Sequence, residues 1–300
     1  MKESDSNKID VNHPELYDLL ELIHARVYET SEKIDTFIMQ KYGKDGLLEE
    51  ESKSHDPDLQ SYLGFLARNE KNMEESWEWY EKSGNQGNMQ AQIIVGNHFR
   101  ARFGWTHKDE DINKAIAWLE KASSDGDSQA LDDLALCYKD RDEEGDFEKA
   151  VELYEKIIAN HDVHSTFAMR ELSDLYESKL EECDEDDLEY EELKSKTFEW
   201  LKKAADSGDS FSQHSLGSAY KYGDYCEQDY SKALEYYKKA AEQVDEDDNL
   251  CVRYYFDLGR CYHDCEQDRS KAVEWFMHSS KNNCLEAKKA FFKGLGETWE

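Results

Sequence analysis

One dipeptide in a constant setting recurs along this 300-residue chain. Lys-Ala stands at Lys114-Ala115, Lys149-Ala150, Lys232-Ala233 and Lys271-Ala272. The spacing is about 35–40 residues, with one double gap, and that period is the signature of stacked helical pairs. The double gap holds a further copy in which Thr197-Phe198 replaces Lys-Ala, and an earlier degenerate copy keeps Ser76, Trp79, Ser83, Gly87, Ala91, Gly96 and Phe99 in register. Residues 113–138 show what each copy builds. Ala115, Trp118, Leu119 and Ala122 recur at the three- and four-residue spacing of one helix face, Gly126 supplies the left-handed residue that ends the helix, and Ala130, Leu134, Ala135 and Tyr138 form the face of the next. Such a unit leaves one face unburied and must stack on its neighbours. The expectation is an all-α, right-handed α-solenoid of about six helical hairpins with an N-terminal helical cap.

The segments outside the repeat are read from their own patterns. Pro14 opens a stretch in which Leu16, Leu19, Leu20, Ile23 and Val27 form one apolar stripe and Ile34, Phe37, Ile38 and Tyr42 another, with Gly43 as the stop. This is expected to cap the open face of the first repeat, the rival being a docking or dimerisation helix. Residues 44–56 are charged and poorly periodic and read as a linker. The domain division is therefore 1–55, cap and linker, and 56–300, solenoid. Residues 179–193, KLEECDEDDLEYEEL, are an acidic insertion, either a solvated loop or a carboxylate strip anchored by Leu188 and Tyr190. Phe291, Phe292, Leu295 and Trp299 end the array, as a cover for the last repeat or as an exposed patch.

The copies resemble the Sel-like repeats, relatives of the tetratricopeptide repeats. The resemblance is carried best by Trp200, Leu201, Lys203, Ala204, Ala205, Gly208, Leu216, Gly217, Tyr220 and Gly223, and nearly as well by the copy with Trp118. It extends over residues 56–295. It implies a binding scaffold, a fold used for many partners. Trp79, Trp118, Trp200 and Trp275, at equivalent positions, are expected to fill the space between neighbouring hairpins.

Charge constrains the partner. The net charge is −32 and the isoelectric point near 4.6, a field that repels nucleic acid and anionic lipid and attracts basic surfaces. The plain alternative is that the carboxylates solvate outer helix faces. Seven cysteines, an odd number scattered over helices, fit reduced thiols in a cytoplasmic protein better than a disulfide framework. Neither a signal-like apolar run nor a stretch of about 20 apolar residues is evident.

Few residues carry chemistry. Cys261, His263 and Cys265 combine thiols with an imidazole, but the histidine turns about 100° per residue off the cysteine faces and no second pair completes a zinc set. Carboxylate pairs such as Asp132-Asp133 and Glu181-Glu182 are too common here to signal acid–base catalysis. With no phosphate loop or nucleophile motif, the chain reads as a non-enzyme with no cofactor and no metal.

In helical-pair solenoids the first helix of each pair lines a concave surface. By this register the partner-binding positions are Asn97, His98, Asp133, Cys137, Glu171, Asp174, Leu175, His214 and Ser218. The functional expectation is a protein–protein interaction scaffold, an adaptor binding a basic or peptide-like partner through its groove and acidic surface. The alternative is a bacterial immunity protein or inhibitor that neutralises a basic toxin. A polyanionic mimic of nucleic acid is a third class.

Overall fold

The computed structural model of the protein describes residues 32–243, 249–264 and 268–281. Among the described residues it is all-α, with fourteen α-helices, one 3-10 turn and no strand. The chain forms two compact units, Met1–Asp146 and Phe147–Glu300. The first contains α1 (Glu32–Lys41), α2 (Gly43–Ser54), α3 (Pro57–Asn69), α4 (Met73–Asn85), α5 (Met89–Thr106), α6 (Asp109–Ala122) and α7 (Ser128–Arg141). The second contains α8 (Asp146–Ala159), which opens at the boundary, then α9 (Ser165–Glu181), α10 (Tyr190–Asp206), α11 (Ser210–Tyr222), α12 (Tyr230–Ala241), α13 (Asn249–Asp264) and α14 (Arg269–Lys281).

Short polar residues start these helices. Asn72, Asn88, Asp127, Asp209 and Asp229 each accept a hydrogen bond from the backbone N–H three residues on, satisfying a donor that the first turn would leave free. Gly126 and Gly208 take φ of 81° and 99° in the turns that follow α6 and α10, where a side chain would strain the backbone.

Packing within a pair follows one rule. A glycine on the first helix admits the residue that follows the repeat aromatic on the second. A Cβ at Gly96 would stand 2.6 Å from Leu119 Cγ, one at Gly217 2.9 Å from Tyr237 Cδ1, one at Gly259 2.8 Å from Phe276 Cδ1, and one at Gly64 3.1 Å from the Tyr80 ring. The glycine-notched pairs are therefore α3/α4, α5/α6, α11/α12 and α13/α14, and α9/α10 packs closely with Ser173 in place of the glycine. The hairpin that the sequence suggests around Gly126, α6 with α7, is the looser junction between pairs, because it lacks this glycine notch.

The repeat tryptophans are placed one residue away from the deepest core. Trp200 is buried, whereas Trp79, Trp118 and Trp275 are half-buried. The side chain three residues on covers three of these rings: Lys82 lies 4.7 Å from the Trp79 centroid, Lys121 4.4 Å from Trp118 and Lys203 3.8 Å from Trp200, as Lys239 lies 4.6 Å from Tyr236. A lysine stem at i+3 covers the ring while its ammonium stays wet. Trp118 does reach the preceding pair, since a Cβ at Gly84 would touch its ring at 3.0 Å.

Residues 44–56, expected to be a linker, mostly form helix α2. The stretch is too charged to show a clear stripe, yet Leu47 and Glu51, four residues apart, both fall on the buried face. Ile38 and Leu47 join Leu59, Tyr62, Leu63 and Leu66 in one core, while Phe37 of the same expected stripe is exposed. Gly43, expected as a stop, has φ of 63° at the junction of α1 and α2. The stripe from Leu16 to Val27 and the aromatic end from Phe291 to Trp299 lie outside the described residues. Residues 184–189 of the acidic insertion are exposed, Leu188 completely, so the loop presents its carboxylates to solvent.

Glu51 carries a testable consequence. It accepts hydrogen bonds from Gln60 Nε2 at 2.9 Å and from Lys82 Nζ. Burial works to raise its carboxyl, but the bonds from Lys82 and Gln60 outweigh it and hold Glu51 below the usual glutamate range. A depressed carboxylate stabilises the fold above its unfolded pKa and ceases to do so as pH falls through the folded one. Glu51→Gln should therefore melt below the wild type at neutral pH, and the gap in Tm should close as the buffer is taken below the glutamate range. A gap that is constant with pH would contradict this.

Candidate partner-binding cleft

In the second unit, α9, α11 and α13 carry the small residues Ser173, Gly217 and Gly259 at equivalent positions. These seat the helices on α10, α12 and α14: Ser173 Oγ donates to Thr197 O at 3.1 Å, and the other two meet Tyr237 and Phe276. Polar links then tie α11 to α13. His214 Nε2 lies 2.9 Å from Asp257 Oδ2, and Lys221 Nζ 3.2 Å from Asp264 Oδ2. His214 is only 3 % exposed, stacked on Tyr254 at 4.6 Å and tilted against Tyr237 at 5.3 Å. Its imidazole is a structural tie between two helices.

Between these helices lies a cleft of about 370 Å³. Ser173, Asp174 and Glu177 line it from α9, Thr197 and Leu201 from α10, and Phe211, His214, Ser215, Ser218 and Ala219 from α11. Asp224 and Tyr225 close one end from the loop after α11, and Arg253 enters from α13. Tyr225 donates its hydroxyl to Glu177, which fixes the loop to α9; burial, with the Glu177 carboxylate, pushes that phenol above its usual range. Phe211 is 40 % exposed. Three carboxylates and one guanidinium thus line the cleft.

The structure brings Asp174, His214 and Ser218 of the expected positions together at this cleft. Glu171 lies on the same helix and pairs with Arg170 at 3.7 Å. Leu175 is a correction: it is 5 % exposed and belongs to the core. His98, Cys137, Leu175 and Ala219 each follow the notch position by two residues, and Asn97, Asp174 and Ser218 by one. A step of one residue rotates a helix by about 100°, so Asp174 lines the cleft while Leu175 beside it turns into the core. Cys137 is fully buried, which pushes its thiol up to about 12. His98 packs 3.8 Å from the Trp77 ring, and burial, aided by the Arg102 charge, lowers its pKa.

Asn97 and Asp133 lie in the first unit as a tie between α5 and α7. Asn97 Nδ2 donates to Asp133 Oδ2 at 2.9 Å, Gln129 Nε2 to the same oxygen at 3.2 Å, and Asp133 is 6 % exposed. Arg100 to Asp140, at 2.6 Å, repeats the geometry of Lys221 to Asp264. The residues missed from sequence, Glu177, Phe211, Asp224, Tyr225 and Arg253, come from four separate segments: α9, α11, the loop after it and α13. Only Glu177 had a signal, since it stands one turn from Asp174 on the same face.

Among the described residues no group of three His, Cys, Asp or Glu could hold a metal, and no helix is long and apolar enough to cross a membrane. Cys261 is buried while His263 is exposed beside Asp264, and Cys265 lies outside the described residues.

Comparison with known proteins agrees with this architecture. A search of curated proteins returns no match. Among solved structures, c5321, a protective antigen of uropathogenic Escherichia coli displaying an SLR fold, aligns at a TM-score of 0.52 and 17 % identity over 91 % of this chain. The chain spans 66 % of that protein's length. A Sel1 repeat protein from Oxalobacter formigenes aligns at 0.49 and 22 % identity, over 79 % of this chain and 89 % of its own. The apo quorum sensor NprR from B. thuringiensis aligns at 0.49 and 14 %, over 95 % and 81 %. The Sel1 repeat family matches residues 63–88, 91–127, 128–162, 194–209, 210–245 and 248–276. Several of these segments begin with the notched helix, in the phase that the α5/α6 and α11/α12 packing shows. They cover more than half of the sequence, and the protein belongs to the Sel1-repeat family.

Proposed function

We propose that this protein is a non-enzymatic scaffold that holds a basic protein partner in the cleft between α9, α11 and α13. Repeats of this kind generally mediate protein–protein interaction. The observation that carries the finer reading is the cleft itself, in which Asp174, Glu177 and Asp224 surround the half-exposed Phe211. The net charge of −32 supports it, because it draws cationic surfaces in at rates that fall with salt. The free thiols of Cys137, Cys183 and Cys226 support a reducing, cytoplasmic setting.

A photo-crosslinking residue placed at Ser215 should capture a partner in the native cell. The same residue at Glu199, exposed on α10 and not part of the lining, should not. The Ser215 product should fade as salt is raised through the range that screens surface charge. Equal capture from both positions, or none from Ser215, would refute the cleft as the binding surface. Charge reversal is informative at Asp174, not at Asp133, which is a buried interhelical tie.

A further inference from the structure

We infer that the cleft receives a single arginine side chain from an extended partner segment. This rests on the scaffold reading above and specifies its chemistry. At about 370 Å³ the cleft is near the small end of the range of about 300–1,000 Å³ for ligand sites. That is room for one long side chain and adjoining backbone, and too little for a helix.

The walls differ in kind. Asp174 and Glu177 are three residues apart on α9 and so share a face, and Asp224 adds a carboxylate from the loop after α11. Phe211 offers an aromatic face that is 40 % exposed. A planar guanidinium can stack on a ring and still form paired hydrogen bonds with carboxylates, whereas an ammonium acts only as a point charge. Beside Phe211 the protein already sets a guanidinium against aromatic rings and a carboxylate. The guanidinium of Arg170 lies 4.8 Å from the Phe167 ring and 5.8 Å from the Phe211 ring while reaching Asp209 at 3.3 Å. Arg253, on the α13 wall, lies 3.9 Å from Asp257 and repels an incoming cation toward α9. The arriving charge is thus directed to the Asp174–Glu177 side.

The test titrates N-acetyl-arginine amide into the isotope-labelled full chain and follows backbone amide shifts. N-acetyl-lysine amide and the neutral, isosteric N-acetyl-citrulline amide serve as comparisons. Saturable shifts are expected at Phe211, Ser218 and Tyr225, with citrulline weaker by about tenfold or more and lysine by about threefold, the cost of losing charge and of losing the fork geometry. Glu177→Gln should weaken arginine by about fivefold, the loss of one charge-assisted contact. Its amide oxygen can still accept from Tyr225, and an unchanged Tm checks the fold. Citrulline or lysine binding as well as arginine, or shifts confined to other surfaces, would overturn the inference. If arginine fails while crosslinking from Ser215 persists, the arginine pocket falls and the scaffold reading stands; if both fail, both fall.

Discussion

Tyr237→Ala is expected to lower the unfolding free energy of the second unit by about 3–5 kcal/mol, the cost of removing a large aromatic from a packed interior. Tyr237 is 2 % exposed, its ring fills the notch left by Gly217, and its hydroxyl lies 2.9 Å from Ser218 Oγ. Its neighbours cannot collapse into the hole, because His214 is held by Asp257 and Tyr254. Tyr237→Phe should cost about 1 kcal/mol, the ordinary worth of one hydrogen bond. Trp118→Ala, at a half-buried position, should cost less than Tyr237→Ala. Urea unfolding monitored within each unit measures all three, since stacked repeats need not unfold in one step. Equal losses for Trp118 and Tyr237 would mean that the repeat aromatic, not its successor, dominates the core.

Arg141→Leu should cost the first unit about 3–5 kcal/mol, because it strands a buried carboxylate. Asp146 is 1 % exposed. Arg141 approaches it with two nitrogens, Nε to Oδ2 at 2.8 Å and Nη2 to Oδ1 at 2.6 Å, while Nη1 reaches Asn113 Oδ1 at 2.9 Å. The Glu143 backbone N–H also donates to Asp146 Oδ2, at 3.1 Å. Removing both partners, as Arg141→Leu with Asp146→Leu, should recover a large part of the loss, since no uncompensated charge remains. A double-mutant cycle gives the coupling between them. Additive single losses would show that the pair does not act as one unit.

Much of this architecture was legible in the residues. Helix spacing, the glycine turns and the Lys-Ala period lead to stacked helices, because amphipathic periodicity is a local property that survives in one dimension. The phase of the pairing was legible in part. The helix opened by Pro57 goes with that of Trp77 and Tyr80, and residues 91–99 go with the Trp118 helix, as the packing has it, but Gly126 suggested a conflicting hairpin. A turn such as Gly126 looks like the centre of a hairpin, but the close approach is set by Gly96 against Leu119, residues far apart in sequence. The same cause hid α2, whose buried face holds only Leu47 and Glu51 among charges, and whose carboxylate is tolerable there only because Lys82 and Gln60 arrive from other helices.

The candidate site divides in the same way. Asp174, His214 and Ser218 could be selected because they sit on the right helices, whereas Leu175 could not be told from Asp174 without knowing which side of α9 meets the core. Phe211, Tyr225 and Arg253 had no local mark as lining residues. By itself the sequence determined the class of fold, the glycine turn at Gly126, and the sign of the charge that a partner meets. Tertiary structure alone decided which residue of each repeat is core, which carboxylates converge, and that a cleft exists. Those outcomes depend on distances between helices, and periodicity along one helix carries no information about them.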